Sequence, residues 1–276
     1  MSVLKSIDMI RRSKRPPLGQ HFLHNPRVRQ QILRRLDCKP QDAWLEIGAG
    51  HGEMTLGLAA TGALVVAIER DPRLAAALRE ALEQFPSARL IERDVLEVSL
   101  ADVALESYIN RWRVYGNLPY YITSPILHQL FEAVEYLEDV HIVIQREVAE
   151  RLVAHPGSRD YGYLSVITQF YTTPEVLLPI PRGAFRPPPK VDSALVRLAP
   201  PGAQARLEVE PEGFLRFVQS CFRQKRRTLR ANLRARYGAR VEAALAALKL
   251  QPRARAEELS LDQFAVLHHA LEPRRP

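Results

Sequence analysis

The chain has 276 residues, a formal net charge of +8 and a pI of about 9.7. This length is enough for an α/β domain with a smaller appended domain, and the excess of positive charge suits a polyanionic partner. The two cysteines, Cys38 and Cys221, form no CxxC pair and have no metal-type spacing to histidine. A disulfide framework and a cysteine-based metal site are therefore excluded, and we expect a reduced, cytoplasmic protein without a metal.

The N-terminal segment 1–20 is basic, with only Asp8 opposing its cations. Five Lys or Arg side chains precede a Pro-Pro pair: Lys5, Arg11, Arg12, Lys14 and Arg15. Because the segment has no long apolar run, it is typical neither of a secretory signal nor of a membrane span. We predict a flexible arm that orders when nucleic acid or a cofactor binds. A mitochondrial transit peptide, the alternative, is usually longer and richer in serine.

A glycine-rich loop follows the first strong strand pattern. The apolar stretch at 44–47 runs into Gly48-Ala49-Gly50-His51-Gly52, and a helix-like segment comes next. Glycines let a ligand approach the backbone, and the helix N-terminus offers unpaired N–H groups. The next strand, 64–68, ends on Glu69, 21 residues after Gly48, where an acidic side chain can accept from both ribose hydroxyls. A dinucleotide site fits these features equally well, although the spacing is GxGxG rather than GxGxxG.

The third and fourth strand patterns also end on polar side chains. Asp94 follows the strand at 89–92 and could accept from the amino group of a bound adenine, although the N-cap of a helix is the commoner role for such an Asp. Asn117-Leu118-Pro119-Tyr120 follows the strand at 113–115. Taken alone, these four residues are as typical of a strand-end turn as of a ligand site.

The tetrapeptide nevertheless suits the binding of an exocyclic amine such as adenine N6. The Asn117 side-chain oxygen and the Leu118 carbonyl can each accept one amine hydrogen, Pro119 fixes the backbone, and Tyr120 offers a flat face for the base. Together with the glycine loop, Glu69 and Asp94, these residues place four polar groups after four successive strands. The combination predicts S-adenosylmethionine bound at the carboxyl edge of a sheet, with methyl transfer to adenine.

A second basic segment spans residues 222–240, which contain eight Lys or Arg and no acid. Its arginines recur every three to four residues beside an apolar stripe at 214–222, which predicts a basic helix face. A solvated helix surface is the alternative, but such faces usually mix charges of both signs. We therefore predict contacts with RNA phosphates. The candidates are Arg223, Lys225, Arg226, Arg227, Arg230 and Arg234.

The strand and turn patterns predict an α/β fold, a Rossmann-like, doubly wound sheet of about seven strands. Parallel strands are expected near 44–47, 64–69, 89–92, 113–116 and 140–145, with a closing pair at 175–178 and 193–198. Helices are expected over 124–135 and 147–154. The Pro- and Gly-rich stretch 199–203 is typical of a linker. The predicted domains are a basic arm at 1–20, a catalytic domain at 21–200 and a small helical RNA-binding domain at 204–276.

Motifs along nearly the whole chain resemble the ribosomal RNA adenine N6-dimethyltransferases, most closely their small-subunit RNA members. The matching strings are GQHFL at 19–23, EIGAG at 46–50, GNLPY at 116–120, YGYLSV at 161–166, FRPPPKVDS at 185–193 and FRQKRRTL at 222–229. The resemblance implies cofactor contacts from His21, Leu23, Gly48, Gly50, Glu69, Asp94, Val95 and Asn117. At position 21 the family usually carries Asn, so His21 either replaces that donor or leaves the contact to the backbone.

The same resemblance implies the reaction and the substrate. These are dimethylation of two adjacent adenosines in the 3′-terminal hairpin loop of small-subunit (16S) ribosomal RNA, on an assembling small subunit. Asn117 and the Leu118 carbonyl would hold the amine and Pro119 would fix the backbone, while Tyr120 and Phe185 would stack on the two faces of the base. The alternative for Phe185 is a core position in a rigid crossover. A monomer that binds no membrane is expected.

Two other functions remain open from the sequence. One is the large-subunit (23S) ribosomal RNA dimethyltransferase of the antibiotic-resistance type, in which Ile more often replaces Leu118. The other is a non-catalytic RNA-binding factor for ribosome assembly or transcription, against which the intact Glu69, Asp94 and Asn117 argue. A nicotinamide oxidoreductase would explain neither residues 117–120 nor the second basic segment.

Overall fold

The computed structural model describes residues 20–106, 109, 111–224 and 226–272. The predicted basic arm apart from Gln20, and the predicted RNA-contact residue Lys225, lie outside these ranges. Within them the chain divides into two compact units. The first is made of residues up to 149 and 175–200, and the second of residues 150–174 and from 201 onward.

A seven-stranded sheet forms the centre of the first unit, and its strands lie in the order β4-β3-β2-β5-β6-β9-β7. Strands β2 to β6 pair in parallel, whereas β9 runs antiparallel to β6. Every residue of β2 is buried, as expected when helices cover both faces of a parallel sheet. The predicted Rossmann-like sheet is therefore confirmed. The strands described are β1 (Phe22–Leu23), β2 (Ala43–Ile47), β3 (Leu64–Glu69), β4 (Ala88–Glu92), β5 (Trp112–Asn117), β6 (Leu137–Gln145), β7 (Thr173–Ile180), β8 (Phe185–Arg186) and β9 (Ser193–Ala199).

The α-helices of the described residues are of ordinary length for a globular protein, and none of them is long and apolar enough to cross a membrane. In chain order they are α1 (Pro26–Leu36), α2 (Glu53–Ala59), α3 (Pro72–Leu82), α4 (Leu100–Glu106), α5 (Thr123–Glu132), α6 (Arg146–Leu152), α7 (Tyr163–Tyr171), α8 (Pro211–Cys221), α9 (Leu229–Tyr237), α10 (Arg240–Ala247) and α11 (Leu261–Leu271).

Local sequence signals start several of these helices. The Asn25 side chain accepts from the Arg27 and Val28 amides at the start of α1, and Asp71 accepts from the Arg73 amide at the start of α3. In both cases a proline follows the cap, where its missing N–H costs no helical hydrogen bond. The carboxyl ends of β1 and β3 are thereby followed by short turns rather than by long irregular loops.

A separate two-stranded sheet lies beside the main one in the first unit. Strand β1 pairs antiparallel with β8, so that Phe22 lies opposite Arg186 and Leu23 opposite Phe185. The backbone N–H groups of His24 and Asn25 extend the contact by donating to the Ala184 carbonyl at 2.9 and 3.0 Å. Residues 22–25 are therefore held by backbone hydrogen bonds to residues 184–186, which are far away in sequence.

The second unit is mainly helical in its described residues and has an aromatic core. Phe170 of α7 packs on Phe214 of α8 with ring centroids 5.1 Å apart, and the Tyr161 hydroxyl donates to the Leu259 carbonyl at 3.0 Å. These contacts explain a difference from the predicted boundary at 204. Residues 150–174 belong to the second unit because the apolar face of α7 needs the aromatic side chains of the later helices to cover it.

Candidate active site

A cleft opens at the carboxyl ends of β2, β3 and β5. This is the edge at which open α/β sheets bind their ligands. Its lining includes most of the predicted cofactor residues, namely His21, Gly48, Gly50, Glu69, Asp94, Val95 and Asn117. Leu23 is the exception, since its side chain is buried in the core of the first unit.

The glycine loop leaves open space where a ligand would lie. Gly48 has a φ of +73°, and a Cβ added to it would meet no atom within 4 Å. The N–H groups of Gly48 and Ala49 donate to the Ile68 carbonyl, so the loop is pinned to the end of β3. A side chain at position 48 would therefore project into the cleft and would strain the backbone.

Glu69 is 4% exposed, and backbone donors fix its carboxylate. Its Oε2 accepts from the Gly50 amide and its Oε1 from the Asp71 amide, both at 2.8 Å. Each carboxylate oxygen can accept more than one hydrogen bond, so both keep capacity for a ligand hydroxyl. The arrangement suits the pair of hydroxyls on a ribose.

Asp94 combines the two roles that the sequence left open. Its Oδ1 accepts from the Leu96 amide at 3.0 Å and so caps a short 3-10 turn. Its Oδ2 forms an ion pair with Arg70 at 2.8 Å, and both residues line the cleft. The helix-cap interpretation is therefore correct, and the capped side chain still lies at the cleft, where an adenine amino group could be bound.

The gripper, defined here as Asn117, Leu118 and Tyr120, lies on the same cleft. Asn117 Nδ2 donates to the His21 carbonyl at 2.9 Å, which leaves the amide oxygen as the acceptor available to a ligand. The Leu118 side chain is buried and its amide donates to the Val143 carbonyl at 3.1 Å. The Pro119 carbonyl accepts from the Ile122 amide, which fixes the turn.

Tyr120 is held by its hydroxyl, which lies 2.7 Å from Ser193 Oγ. Burial raises the pKa of the Tyr120 hydroxyl above its ordinary value, so the phenol stays neutral. The sequence analysis did not assign Ser193 a role, although it closes the FRPPPKVDS motif. Its position in that motif could have indicated a functional role for Ser193, but its contact with Tyr120 depends on the fold.

Phe185 is not among the residues that line the cleft, and its predicted role in stacking stays a prediction. Its side chain is 4% exposed and packs in the core cluster with Leu23, Ile180 and Leu195. The pairing of β8 with β1 alternates side chains across the ribbon and directs Phe185 inward. A core position in a rigid crossover is what the structure shows.

The second basic segment is not one continuous helix, in contrast to the prediction. Helix α8 ends at Cys221 and α9 begins at Leu229, so Arg223, Arg226 and Arg227 lie in the connection between them. Asn232 explains the break, because its Nδ2 donates to the Cys221 carbonyl at 2.7 Å and to the Gln224 carbonyl at 3.3 Å.

The predicted RNA-contact residues of this segment that the structure describes are all exposed: Arg223, Arg226, Arg227, Arg230 and Arg234. Arg230 is already engaged, with its Nε 2.7 Å from Glu242 Oε1. The neighbouring positive charges favour a non-helical connection, since like charges three and four residues apart destabilise a helix. The five side chains remain predictions for phosphate contact.

No metal centre is evident in the described ranges, where no group of three or more His, Cys, Asp or Glu is placed to hold an ion. The expectation that the protein uses no metal stays a prediction. The cleft residues instead offer carboxylate, amide and backbone groups around open space, which is a set of hydrogen-bonding partners for a nucleoside.

Comparison with known proteins agrees with this geometry. The model of the family described as "Ribosomal RNA adenine dimethylase" matches residues 11–272. A protein from Acidobacterium capsulatum named "Ribosomal RNA small subunit methyltransferase A" is 42% identical over 94% of this chain and 92% of its own length. Its namesake from Nitrosococcus oceani is 41% identical over 92% of this chain and 94% of its own.

Two solved structures share the fold. A dimethyladenosine transferase from Plasmodium falciparum superposes with a TM-score of 0.74 at 23% identity, covering 90% of this chain and 96% of that one. The 23S rRNA methyltransferase ErmE superposes with a TM-score of 0.68 at 30% identity, covering 91% of this chain and 99% of that one. The resemblance inferred from the motifs is confirmed.

Proposed function

The chain belongs to the ribosomal RNA adenine dimethylase family, and from that premise we propose that it dimethylates N6 of two adjacent adenosines in small-subunit (16S) ribosomal RNA. The proposed site is the 3′-terminal hairpin loop, and the methyl donor is S-adenosylmethionine. Relatives named for the small subunit are 33–42% identical to this chain, whereas the 23S enzyme ErmE is 30% identical. The difference favours the small-subunit substrate over the large-subunit one.

The cleft fits S-adenosylmethionine on the chemistry of its donors and acceptors. Glu69 would hold the ribose hydroxyls, Asp94 the adenine amino group, and the open space at Gly48 would admit the rest of the molecule. His21 lines the cleft as well, and its Nδ1 is hydrogen-bonded to the Pro187 carbonyl. When bound, the cofactor supplies a methyl group on a sulfonium that is already an activated leaving group.

The protein's own contribution is to position the amine. Adenine N6 is a poor nucleophile because its lone pair is delocalised into the ring. Asn117 Oδ1 and the Leu118 carbonyl would each accept one N6 hydrogen and so favour a pyramidal amine with its lone pair directed at the methyl group. Tyr120 would stack on the base, which a loop adenosine can present at a low unstacking cost.

No catalytic base is needed for this reaction. Once alkylated, the amine becomes strongly acidic and can release its proton to water. The Tyr120 hydroxyl is not suited to be a base, because burial raises its pKa and Ser193 occupies it. Rate enhancement would come mainly from orientation, which depends on the geometry of the gripper.

One observation carries the proposal, the hydrogen bond from Asn117 Nδ2 to the His21 carbonyl at 2.9 Å. It directs an acceptor oxygen, rather than a second donor, toward the ligand. Donors would repel an amine that must present its hydrogens. A gripper built of acceptors is what N6 methylation requires.

The second unit would bind the RNA backbone. Its exposed arginines between α8 and α9 suit phosphate contacts, and the net charge of the chain suits a large polyanion. We propose that the physical substrate is an assembling small ribosomal subunit, bound by a monomer in the cytoplasm. Both the monomeric state and the compartment are predictions.

The test is methyl transfer from labelled S-adenosylmethionine to undermethylated small subunits, with the products mapped by mass spectrometry. We expect dimethyladenosine in the 3′-terminal hairpin, and a loss of at least about 100-fold in rate for Asn117→Ala. Large-subunit RNA is the parallel substrate, and label there instead would favour the 23S type of enzyme. Tight binding of small subunits without transfer to either RNA would indicate a non-catalytic assembly factor.

A further inference from the structure

The His21 side chain is held on the gripper side of the cleft. Its Nδ1 lies 2.8 Å from the Pro187 carbonyl oxygen, and its ring lies against that of Tyr120 with centroids 5.4 Å apart and planes at 36°. Because a carbonyl oxygen can only accept, Nδ1 carries a proton whatever the charge of the ring. His21 is thus a donor to Pro187 and a neighbour of the base-stacking residue.

The backbone of the same residue determines how the Asn117 amide is oriented. Asn117 Nδ2 donates to the His21 carbonyl at 2.9 Å. The opposite amide orientation would set the Asn117 oxygen against the His21 oxygen and leave two acceptors facing each other. As long as the His21 carbonyl stays in place, Asn117 Oδ1 is the atom that a ligand amine meets.

The peptide of His21 is anchored from two directions. On one side, Phe22 packs its ring against the glycine loop, 3.2 Å from the position that a Gly50 Cβ would occupy and 4.3 Å from the His51 ring. On the other side, the pairing of β1 with β8 continues directly into the bond from His21 to Pro187. The side-chain bond closes this two-stranded ribbon at the end nearest the cleft.

We propose that His21 is a positioning residue for the target adenine, acting through Asn117 and Tyr120. Its Nδ1–H bond to Pro187 fixes its own carbonyl, which orients the Asn117 amide, and its ring braces one face of Tyr120. At 5.4 Å the two rings are in contact, so the base stacks on the other face of Tyr120. The inference rests on the proposed function and concerns the residue at which the chain departs from the family pattern.

The second methyl transfer should depend more than the first on the orientation that His21 gives to the Asn117 amide. Adenine N6 begins with two hydrogens, and both acceptors of the gripper can engage it. After one transfer the amine has a single hydrogen, so one acceptor must orient it alone. A loosened Asn117 amide should therefore slow the second step more and let monomethyladenosine accumulate.

The experiment compares His21→Ala with wild type on undermethylated small subunits at saturating S-adenosylmethionine, with cofactor affinity measured separately by calorimetry without RNA. We expect the rate to fall about tenfold and the ratio of monomethyl to dimethyl product to rise, because small misplacements of a reacting group cost this much. The dissociation constant of the cofactor should change much less than the rate, because Glu69 and Asp94, the groups that we assign to the cofactor, keep their contacts.

Two conservative variants distinguish the contact of His21 with Pro187 from its contact with Tyr120. They also keep the test informative if His21→Ala folds poorly. His21→Asn keeps a side-chain donor for Pro187 but loses the ring, whereas His21→Phe keeps a ring against Tyr120 but loses the donor. Each should recover part of the dimethyl product. His24→Ala is the matched control, because His24 lies in the same segment with an exposed side chain and should behave as wild type.

Other results would overturn the proposal. A cofactor dissociation constant raised about tenfold or more in His21→Ala, with an unchanged rate and product ratio at saturation, would make His21 a cofactor ligand. Unchanged rate, product ratio and affinity would show that the side chain positions nothing. If the wild type binds the cofactor yet methylates neither ribosomal RNA, the proposed function fails and the positioning role fails with it.

Discussion

Tyr120 offers a stacking face and is anchored through its hydroxyl, 2.7 Å from Ser193 Oγ, so its variants separate the two contributions. Tyr120→Phe keeps the ring and loses the anchor, and we expect single-turnover methylation to slow only several-fold. Tyr120→Ala also loses base stacking, worth about 1–3 kcal/mol, and should slow the reaction by about 10- to 100-fold more.

Ser193→Ala is the matched variant for this anchor and should reproduce the effect of Tyr120→Phe. If the two side chains act through one hydrogen bond, the double variant should be no slower than either single one. Fully additive losses would show that the hydroxyl groups act independently.

Glu46 is a buried carboxyl in β2, and among the described residues its Oε2 has no hydrogen-bond partner. Burial raises its pKa from 4.5 to about 8. The unfolded chain ionises Glu46 above pH 4.5, whereas the folded protein keeps it protonated until pH reaches about 8. The free energy of unfolding should therefore fall through this window, by at most about 1.4 kcal/mol per pH unit.

Glu46→Gln tests this dependence because the amide is neutral in both states. Relative to wild type, the variant should gain stability as the pH is raised from about 5 to about 8.5. Urea unfolding at the two pH values measures the change. If the free energies of unfolding of variant and wild type differ by the same amount at both pH values, the pKa of Glu46 is not raised.

The glycine loop shows how one element controls both stability and binding. Gly48 and Gly157 have φ values of +73° and +82°, and each has open space where a Cβ would go. Replacing either by Ala should cost about 1–2 kcal/mol of stability, the penalty for a left-handed backbone. Gly48→Ala alone should also weaken S-adenosylmethionine binding by about tenfold, because its methyl group enters the cleft.

Thermal unfolding measures the stability of the two variants, and calorimetry measures their affinity for S-adenosylmethionine. Gly157 does not line the cleft, so Gly157→Ala serves as the control for backbone strain. Equal loss of cofactor affinity in the two variants would mean that strain, rather than occupation of the cleft, is responsible.

Elements with strong local signals could be predicted from the sequence. The strands of the main sheet follow apolar runs, and the groups at their carboxyl ends, such as Glu69 and Asn117, converge because parallel strands end at one edge. The connection between α8 and α9 could not be predicted, because the spacing of its arginines suits a helix equally well. The hydrogen bonds from Asn232 to carbonyls 8 and 11 residues earlier add to the repulsion between neighbouring arginines and end the helix.

Phe185 and His21 illustrate the same limit within the site. The FRPPPKVDS motif places Phe185 near the cleft, but its direction depends on the register of β8 against β1, a pair separated by more than 160 residues. The role of His21 depends on Pro187 and Asn117, which lie 166 and 96 residues away in sequence. Contacts between distant residues are not encoded in local periodicity.

Over the whole molecule, the positive charge should make binding to ribosomal RNA depend on salt. Each phosphate contact that is lost should lower the slope of log affinity against log salt by about one. We expect Arg223→Ala and Arg227→Ala to reduce this slope in titrations of small subunits. Arg216→Ala is the control, because Arg216 is equally exposed but paired with Glu212 at 3.0 Å. An equal reduction in the control would assign the effect to net charge alone.

The second unit is built from two stretches of chain that the last strands of the main sheet interrupt. During synthesis, residues 150–174 leave the ribosome before the helices that cover Phe170 and Tyr161 exist. These apolar side chains stay uncovered while β7, β8 and β9 are made. Completion of the helical unit is therefore a late event of translation, and a nascent chain stopped near residue 200 would expose an incomplete core to chaperones.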